Sequence, residues 1–194
     1  MLRGTHPNIT ADVQSQPFRE KISVCLVSRG PIDEQILKTL EGFGEVIVGR
    51  GDNGVCGRYE AVRQAKHDII YTQDDDCVVD TYSLLAGWDG NFVSNMKANR
   101  AAEYAGSVTL IGWGAIFRKE LTGVLDKYTA RWGTDDLFRC ECDRIFTGLN
   151  THRNVFVDVE NLPNAGAADR LSSDPKHWDW LSQAKRRVKE LGGV

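Results

Sequence analysis

The run Tyr71-Thr72-Gln73-Asp74-Asp75-Asp76 places three successive carboxylates at the exit of a short apolar stretch, and Cys77-Val78-Val79 returns to apolar character at once. Carboxylates held between buried segments repel one another, and each is costly or shifts toward its neutral form unless a counter-charge is supplied. A divalent cation is the simplest counter-charge. Oxygen ligands suit Mg²⁺ or Mn²⁺, which keep positions open for water and substrate phosphates. The run therefore reads as a site for metal and diphosphate, the alternative being a solvated acidic turn. A second acidic pair stands in Thr134-Asp135-Asp136-Leu137, ahead of the apolar Phe138, Ile145 and Phe146. That is the pattern of an N-capped helix with acids in its first turn. A carboxylate with a like-charged neighbour also gains affinity for a proton, which suits a general base.

The elements that must position these acids can be followed along the chain. Residues 22–27 are rich in β-branched side chains and end in Ser28-Arg29-Gly30-Pro31, a buried strand and its exit turn. Asp33 and Glu34 open a helix with the stripe Ile36, Leu37 and Leu40, and Gly42 and Gly44 mark its end. A second strand over 45–48, a glycine-rich loop over 49–54, a helix over 55–66 and a third strand over 68–72 complete a βαβαβ order. Short connections in that order predict a mostly parallel sheet flanked by crossover helices, a Rossmann-like α/β architecture. Ligands of such sheets bind beyond the carboxyl ends of the strands, where Arg29, the Gly51-Asp52-Asn53-Gly54 loop and Asp74, Asp75 and Asp76 all fall. The second half predicts a helix over 81–96, a strand over 107–111, and the segment 112–118 leading into a short helix. The capped helix after Asp135, a strand over 155–159, a Gly/Asn/Asp-rich loop over 161–175 and a final helix over 177–191 follow. The expectation is one domain over residues 21–194 behind an N-terminal arm, 1–20, with its nucleotide-binding half in 21–80.

Bulk properties narrow the classes. The 194 residues suffice for one domain with a full core, and 24 basic against 27 acidic residues give a net charge of -3. That balance provides no global field for nucleic acid or an anionic membrane, and the local run Lys185-Arg186-Arg187-Val188-Lys189 reads as the solvated face of the last helix. Five cysteines form an odd set without framework spacing, which points to a reducing compartment. Cys140-Glu141-Cys142 has no second pair of Cys or His at zinc-ligand spacing. No stretch approaches the ~18 apolar residues of a membrane span, and the N-terminus lacks a charged segment followed by an apolar one. A soluble, cytoplasmic protein is expected, in a bacterial or virus-infected cell.

Over most of residues 21–150 these pieces resemble the GT-A fold nucleotide-sugar glycosyltransferases, in particular the DXD-containing, family 2-like enzymes. Asp74-Asp75-Asp76 resembles their DXD motif. The resemblance implies that Asp76 and Asp74 are metal ligands for Mn²⁺ or Mg²⁺, and that Asp74 and Asp75 also contact the donor. Arg29 matches the place where that fold meets the nucleotide base. Asp52, Asn53 and Arg58 match its loop and helix beside the diphosphate, and Gly112, Trp113 and Gly114 match the small-residue segment lining donor sugar and acceptor. Asp136, with Asp135 as its neighbour, matches the base of inverting members, and Arg131-Trp132-Gly133 before it offers an aromatic step to a sugar face. His177 resembles the C-terminal histidine that completes the metal site in many of these enzymes, while Arg170 or Lys176 could hold the diphosphate.

The implied activity is metal-dependent transfer of a sugar from a nucleoside diphosphate sugar, a UDP-sugar by family analogy, to an acceptor hydroxyl with inversion. Residues 81–194 would form the acceptor side. The acceptor could be a soluble glycan, a lipid-linked intermediate, a protein or a modified nucleic-acid base such as one in DNA. Two rivals remain: a nucleotidyltransferase, whose glycine-rich basic signature after the first strand is missing from Ser28-Arg29-Gly30-Pro31, and a non-catalytic nucleotide- or glycan-binding domain, which would require no base.

Overall fold

Ile22, Val24 and Leu26 alternate with Ser23, Cys25 and Val27 along strand β1 (Ile22–Ser28), and both sets are buried. A strand covered on both faces belongs at the centre of a layered α/β sheet. The computed structural model describes residues 16–95, 111–150, 153–157, 159, 161–162 and 174–194. Most of the expected arm, the strand over 107–110, most of the loop over 161–175, and Arg170 lie outside the described residues.

After the short helix α1 (Gln16–Arg19) and β1 come α2 (Glu34–Thr39), β2 (Glu45–Arg50), a 3-10 turn (Gly51–Cys56), α3 (Gly57–Gln64) and β3 (Ile69–Thr72). Then follow β4 (Val78–Val79), α4 (Thr81–Ala86), β5 (Phe92–Asn95), β6 (Ala115–Arg118), α5 (Gly123–Trp132) and α6 (Asp136–Asn150). The chain ends with β7 (Val155–Val157), β8 (Asn161–Leu162) and α7 (His177–Glu190). Six strands form one sheet in the order β2-β1-β3-β6-β5-β7, and β4 pairs with β8 beside it. β1 runs parallel to β2 and β3, and β5 parallel to β7, whereas β6 is antiparallel to both β3 and β5. The expected mostly parallel α/β sheet is present with that one reversed strand inserted.

Three expected elements differ. The segment 112–118 becomes a 3-10 turn (Ile111–Trp113) and the strand β6, because Ile116 and Phe117 are each buried on opposite faces of the sheet. The helix expected over 81–96 stops at Ala86: the carboxylate of Asp89 accepts from the amides of Asn91 and Phe92, Gly90 takes a φ of 93°, and the chain turns into β5. The glycine-rich loop over 49–54 also starts later, since Gly49 and Arg50 remain paired with β1.

The core lies on both sides of the sheet. On one, Leu26, Tyr71 and Ile116 pack with Ile36 and Leu40 near α2 and with Leu84 and Leu85 of α4. On the other, Cys25, Ile70 and Phe117 pack beneath α3, α5, α6 and α7. Phe146 of α6 sits among the rings of Tyr59, Phe92 and Phe117, with centroids 5.5, 5.5 and 4.8 Å away. This contact sets the rotation of α6 on the sheet and therefore which of its polar side chains turn inward.

Glu141 of α6 is buried between Arg144, at 3.3 Å, and His177 Nδ1 at the start of α7, also at 3.3 Å. Burial pushes its carboxyl up to about 7 from an ordinary 4.5, against the pull of Arg144. A carboxyl raised in the folded state binds more protons there than in the unfolded chain, so its contribution to stability is lost as pH rises between about 4.5 and about 7. Glu141→Gln should therefore flatten the fall in stability between pH ~5 and ~8 relative to the wild type. Urea unfolding at the two pH values measures this, and an unchanged slope would contradict it.

Candidate functional site

The carboxyl ends of β1, β2 and β3 meet at the acidic turn. After β3, Asp74 bridges in parallel to Val27 of β1, and its amide donates to the carbonyl of Gly112 at 2.7 Å. Gln73 is buried, accepts from the Tyr71 hydroxyl and donates to the Cys77 carbonyl at 2.6 Å, which closes the turn from behind. Gly112 leaves the space that the Asp74 carboxylate fills, because a Cβ there would stand 2.1 Å from Asp74 Oδ2. Asp75 accepts from the hydroxyl of Ser28 at the end of β1. Asp74, Asp75 and Asp76 are all partly exposed at this edge.

The counter-charge that the acidic run requires is supplied in part from inside the protein. Arg58 of α3 is fully buried; its guanidinium donates to Asp74 and to Thr72 Oγ1 at 2.9 Å, and forms an ion pair with Asp143 Oδ2 of α6 at 3.2 Å. Thr72 in turn donates to the carbonyl of Cys25 at 2.7 Å. Burial opposes the charge on Arg58 most strongly, but Asp143 and Asp74 outweigh it and hold the guanidinium protonated. Burial pushes the Asp143 carboxyl up to about 6; Arg58 pulls it down and Asp74 pushes it up. One guanidinium thus serves two carboxylates, and the exposed one, Asp74, keeps the more polar surroundings.

The remaining expected residues fall into distinct places. Arg29 is exposed and its Nε lies 3.4 Å from the Gly51 carbonyl, which brings the ends of β1 and β2 together. Asp52 is exposed, 4.0 Å from Arg50. The Asn53 amide donates to both carboxylate oxygens of Glu60, at 2.9 and 3.1 Å. Trp113 is 41% exposed beside Gly112, an apolar surface at the same edge, and its carbonyl is held by Asn95 at 3.1 Å. Gly114 adopts a φ of 104° and accepts from the Asn95 amide, so that the chain turns from the edge into β6. Arg58, expected beside the diphosphate, instead reaches the edge through Asp74.

The acidic pair at α6 divides its work. Asp135 caps the helix by accepting from the Phe138 amide at 2.9 Å, and its other oxygen binds Arg187 of α7 at 2.8 Å. Asp136 is exposed and lies 3.5 Å from Arg139, one turn along. Asp136 and Asp143 are seven residues apart, hence on one face of α6 and about 10 Å apart along its axis. Asp136 therefore stands on the face whose buried end meets Arg58. Glu141 points the other way, and His177, engaged with it, is buried on that side and packs edge-on against Trp178. Asp143 was missed from the sequence; its signal was an acid among the inward positions Cys142, Ile145 and Phe146, two turns after Asp136.

Among the described residues, no three His, Cys, Asp or Glu side chains gather closely enough to hold a metal ion by themselves. Asp74 and Asp76 nonetheless fit a hard cation of the kind that takes one or two carboxylates and completes its shell with phosphate oxygens and water. The field at the turn is negative enough to act on its neighbour: burial first, then Asp74 and Asp76, push the Cys77 thiol up to about 12.

Among solved structures the chain is similar to S. aureus TarS, residues 1–349, in complex with UDP-GlcNAc, with a TM-score of 0.52 and 13% identity. The likeness covers 86% of this chain and 66% of that one, so the chain spans less than two thirds of the TarS structure. It is also similar to glucosyl-3-phosphoglycerate synthase from Mycobacterium tuberculosis in complex with Mn²⁺, uridine-diphosphate-glucose and phosphoglyceric acid, with a TM-score of 0.50 and 10% identity over 97% of this chain and 86% of that one. At these identities the likeness shows the fold, which is GT-A-like. No family model matches the sequence, and no curated protein is similar to it at a significant level.

Removing one partner of a buried ion pair leaves an uncompensated charge, so Arg58→Met should cost about 3–5 kcal/mol of stability. Adding Asp143→Leu should restore part of that loss, since the second buried charge is then gone as well. Denaturant unfolding of the single and double variants checks this, and additive losses would contradict the coupling.

Proposed function

We propose that this chain transfers a glycosyl group from a nucleoside diphosphate sugar to an acceptor hydroxyl. The observation that carries the reading is the turn of Asp74, Asp75 and Asp76, braced from within by Arg58, on the carboxyl edge of a GT-A-like sheet. Two proteins of similar fold were solved with UDP-GlcNAc, and with uridine-diphosphate-glucose and Mn²⁺.

In this reading Arg29 meets the nucleoside, and the diphosphate lies between the turn of Asp52 and Asn53 and the carboxylates of Asp74 and Asp76. Those two carboxylates hold Mn²⁺ or Mg²⁺, which when bound neutralises charge developing on the leaving diphosphate. Arg58 and Gly112 fix the Asp74 carboxylate before substrate arrives, so little reorganisation is needed at the moment of reaction. Asp75, oriented by Ser28, and Trp113 face the donor sugar, while Gly112 makes room for the Asp74 carboxylate and Gly114 turns the chain away from the edge into β6. Asp136 accepts the proton of the acceptor hydroxyl as that oxygen bonds to the anomeric carbon, whose bond to the diphosphate breaks, and the configuration inverts. Asp135, committed to the helix cap and to Arg187, positions Asp136 and is not itself the base.

The test is release of UDP from UDP-sugars supplied with Mn²⁺ and a panel of acceptors. Asp76→Asn should abolish both transfer and donor hydrolysis. Asp136→Asn should lower transfer about 100- to 10,000-fold while donor binding is kept, as expected for loss of a general base. Wild-type turnover in Asp76→Asn would overturn the donor assignment, and unchanged transfer in Asp136→Asn would remove the base.

A further inference from the structure

Strand β2 closes one end of the six-stranded sheet and, among the described residues, pairs with β1 alone. The register with β1 sets Val46 beside Val24 and Val48 beside Leu26, so all four side chains share the face that carries α2. Val24 and Leu26 are fully buried there, whereas Val46 and Val48 are 42% and 48% exposed. The six-residue α2 leaves β2 uncovered, and its own Leu37 is 44% exposed. Ile47 faces the other way and packs against the cluster that contains Cys25.

Proteins usually blunt a sheet edge with charges, proline or a bulge, because its free N–H and C=O groups otherwise recruit another strand. In β2, Glu45-Val46-Ile47-Val48-Gly49-Arg50, the charges stand only at the ends and no proline interrupts the run. Its pairing with β1 is unbroken from Glu45 to Arg50, so no bulge bends it away. An open edge with two exposed valines on one face fits a β-strand that brings apolar side chains to the same face.

A second copy of β2 meets that requirement. A two-fold axis perpendicular to the sheet keeps each face on its own side, so two copies meet antiparallel with one residue opposite its own counterpart. With the axis at Ile47, Val46 stands opposite Val48 of the second copy and Val48 opposite its Val46, which gathers four valines on one face. Glu45 then stands opposite Gly49 and Arg50 opposite Gly44, so no like charges are opposed. Moving the axis to Val46 would set Val48 against Gly44, and moving it to Val48 would set Val46 against Arg50.

We propose that the chain forms a two-fold dimer by antiparallel pairing of β2 with β2 of a second copy, centred on Ile47. The two six-stranded sheets become continuous. Because the paired strands run in opposite directions, the two edges that carry Asp74 point in opposite directions as well.

Sedimentation equilibrium of the full chain over a dilution series tests this. The expected result is a mass that rises with concentration from 21.6 kDa toward twice that value. Val46→Lys and Val48→Glu should each remain monomeric, since each sets a charge against a valine of the second copy. Mixed in equal amounts, the two variants should associate, because the mixed pair sets the new ammonium against the new carboxylate at one end and Val48 against Val46 at the other. A wild type that stays monomeric throughout the series, single variants that still dimerise, or a mixture that fails to associate would each overturn the proposal. Amide exchange of the wild type covers the case of a variant that does not fold: exchange over β2 should slow as concentration rises, and protection that is the same at every dilution would overturn the proposal too.

Discussion

A guanidinium with no exposed surface lies between two carboxylates, and the architecture converges on it. Arg58 comes from α3, Asp74 from the turn after β3, Asp143 from α6, and Thr72 from the end of β3 itself. Burying a charge is costly unless it is paired, so the ion pairs of Arg58 tie the placement of α3, the acidic turn and α6 to one another. The apolar contacts of Phe146 with the sheet hold α6 in that placement from the other side. Packing and charge pairing therefore specify the same placement.

This internal cation changes how the acidic run is understood. Three adjacent carboxylates suggest that a metal must supply the opposing charge, yet Asp74 already has a fixed partner and Asp75 a hydroxyl donor. What the protein prepares is an oriented carboxylate at a sheet edge. That arrangement suits a cation shared with a substrate's phosphates better than a permanent, protein-enclosed ion. The same economy separates Asp135, used in capping and in binding Arg187, from the exposed Asp136.

The βαβαβ half was legible because its strands are short, β-branched and punctuated by turn residues, and because Asp74, Arg29 and Gly51 fall on one edge by topology alone. Helix α6 was legible from its acidic start and apolar stripe. What escaped depended on tertiary partners. The strands β5 and β6 are four residues each, too short for periodicity to distinguish from helix, and the pairing of β6 with both β3 and β5 decides the matter. Arg58 looked like a phosphate ligand because sequence does not reveal that its side chain turns inward toward an acid 85 positions away. His177 looked like a ligand for the same reason, and the structure engages it with Glu141.

The most direct test of the account is a crystal structure of the chain with UDP and Mn²⁺. The account predicts the diphosphate at the turn of Asp74 and Asp76, near Gly112, with Arg58 still buried between Asp74 and Asp143. A nucleotide bound away from that edge, or an Arg58 withdrawn from Asp74 to meet the phosphates, would contradict it.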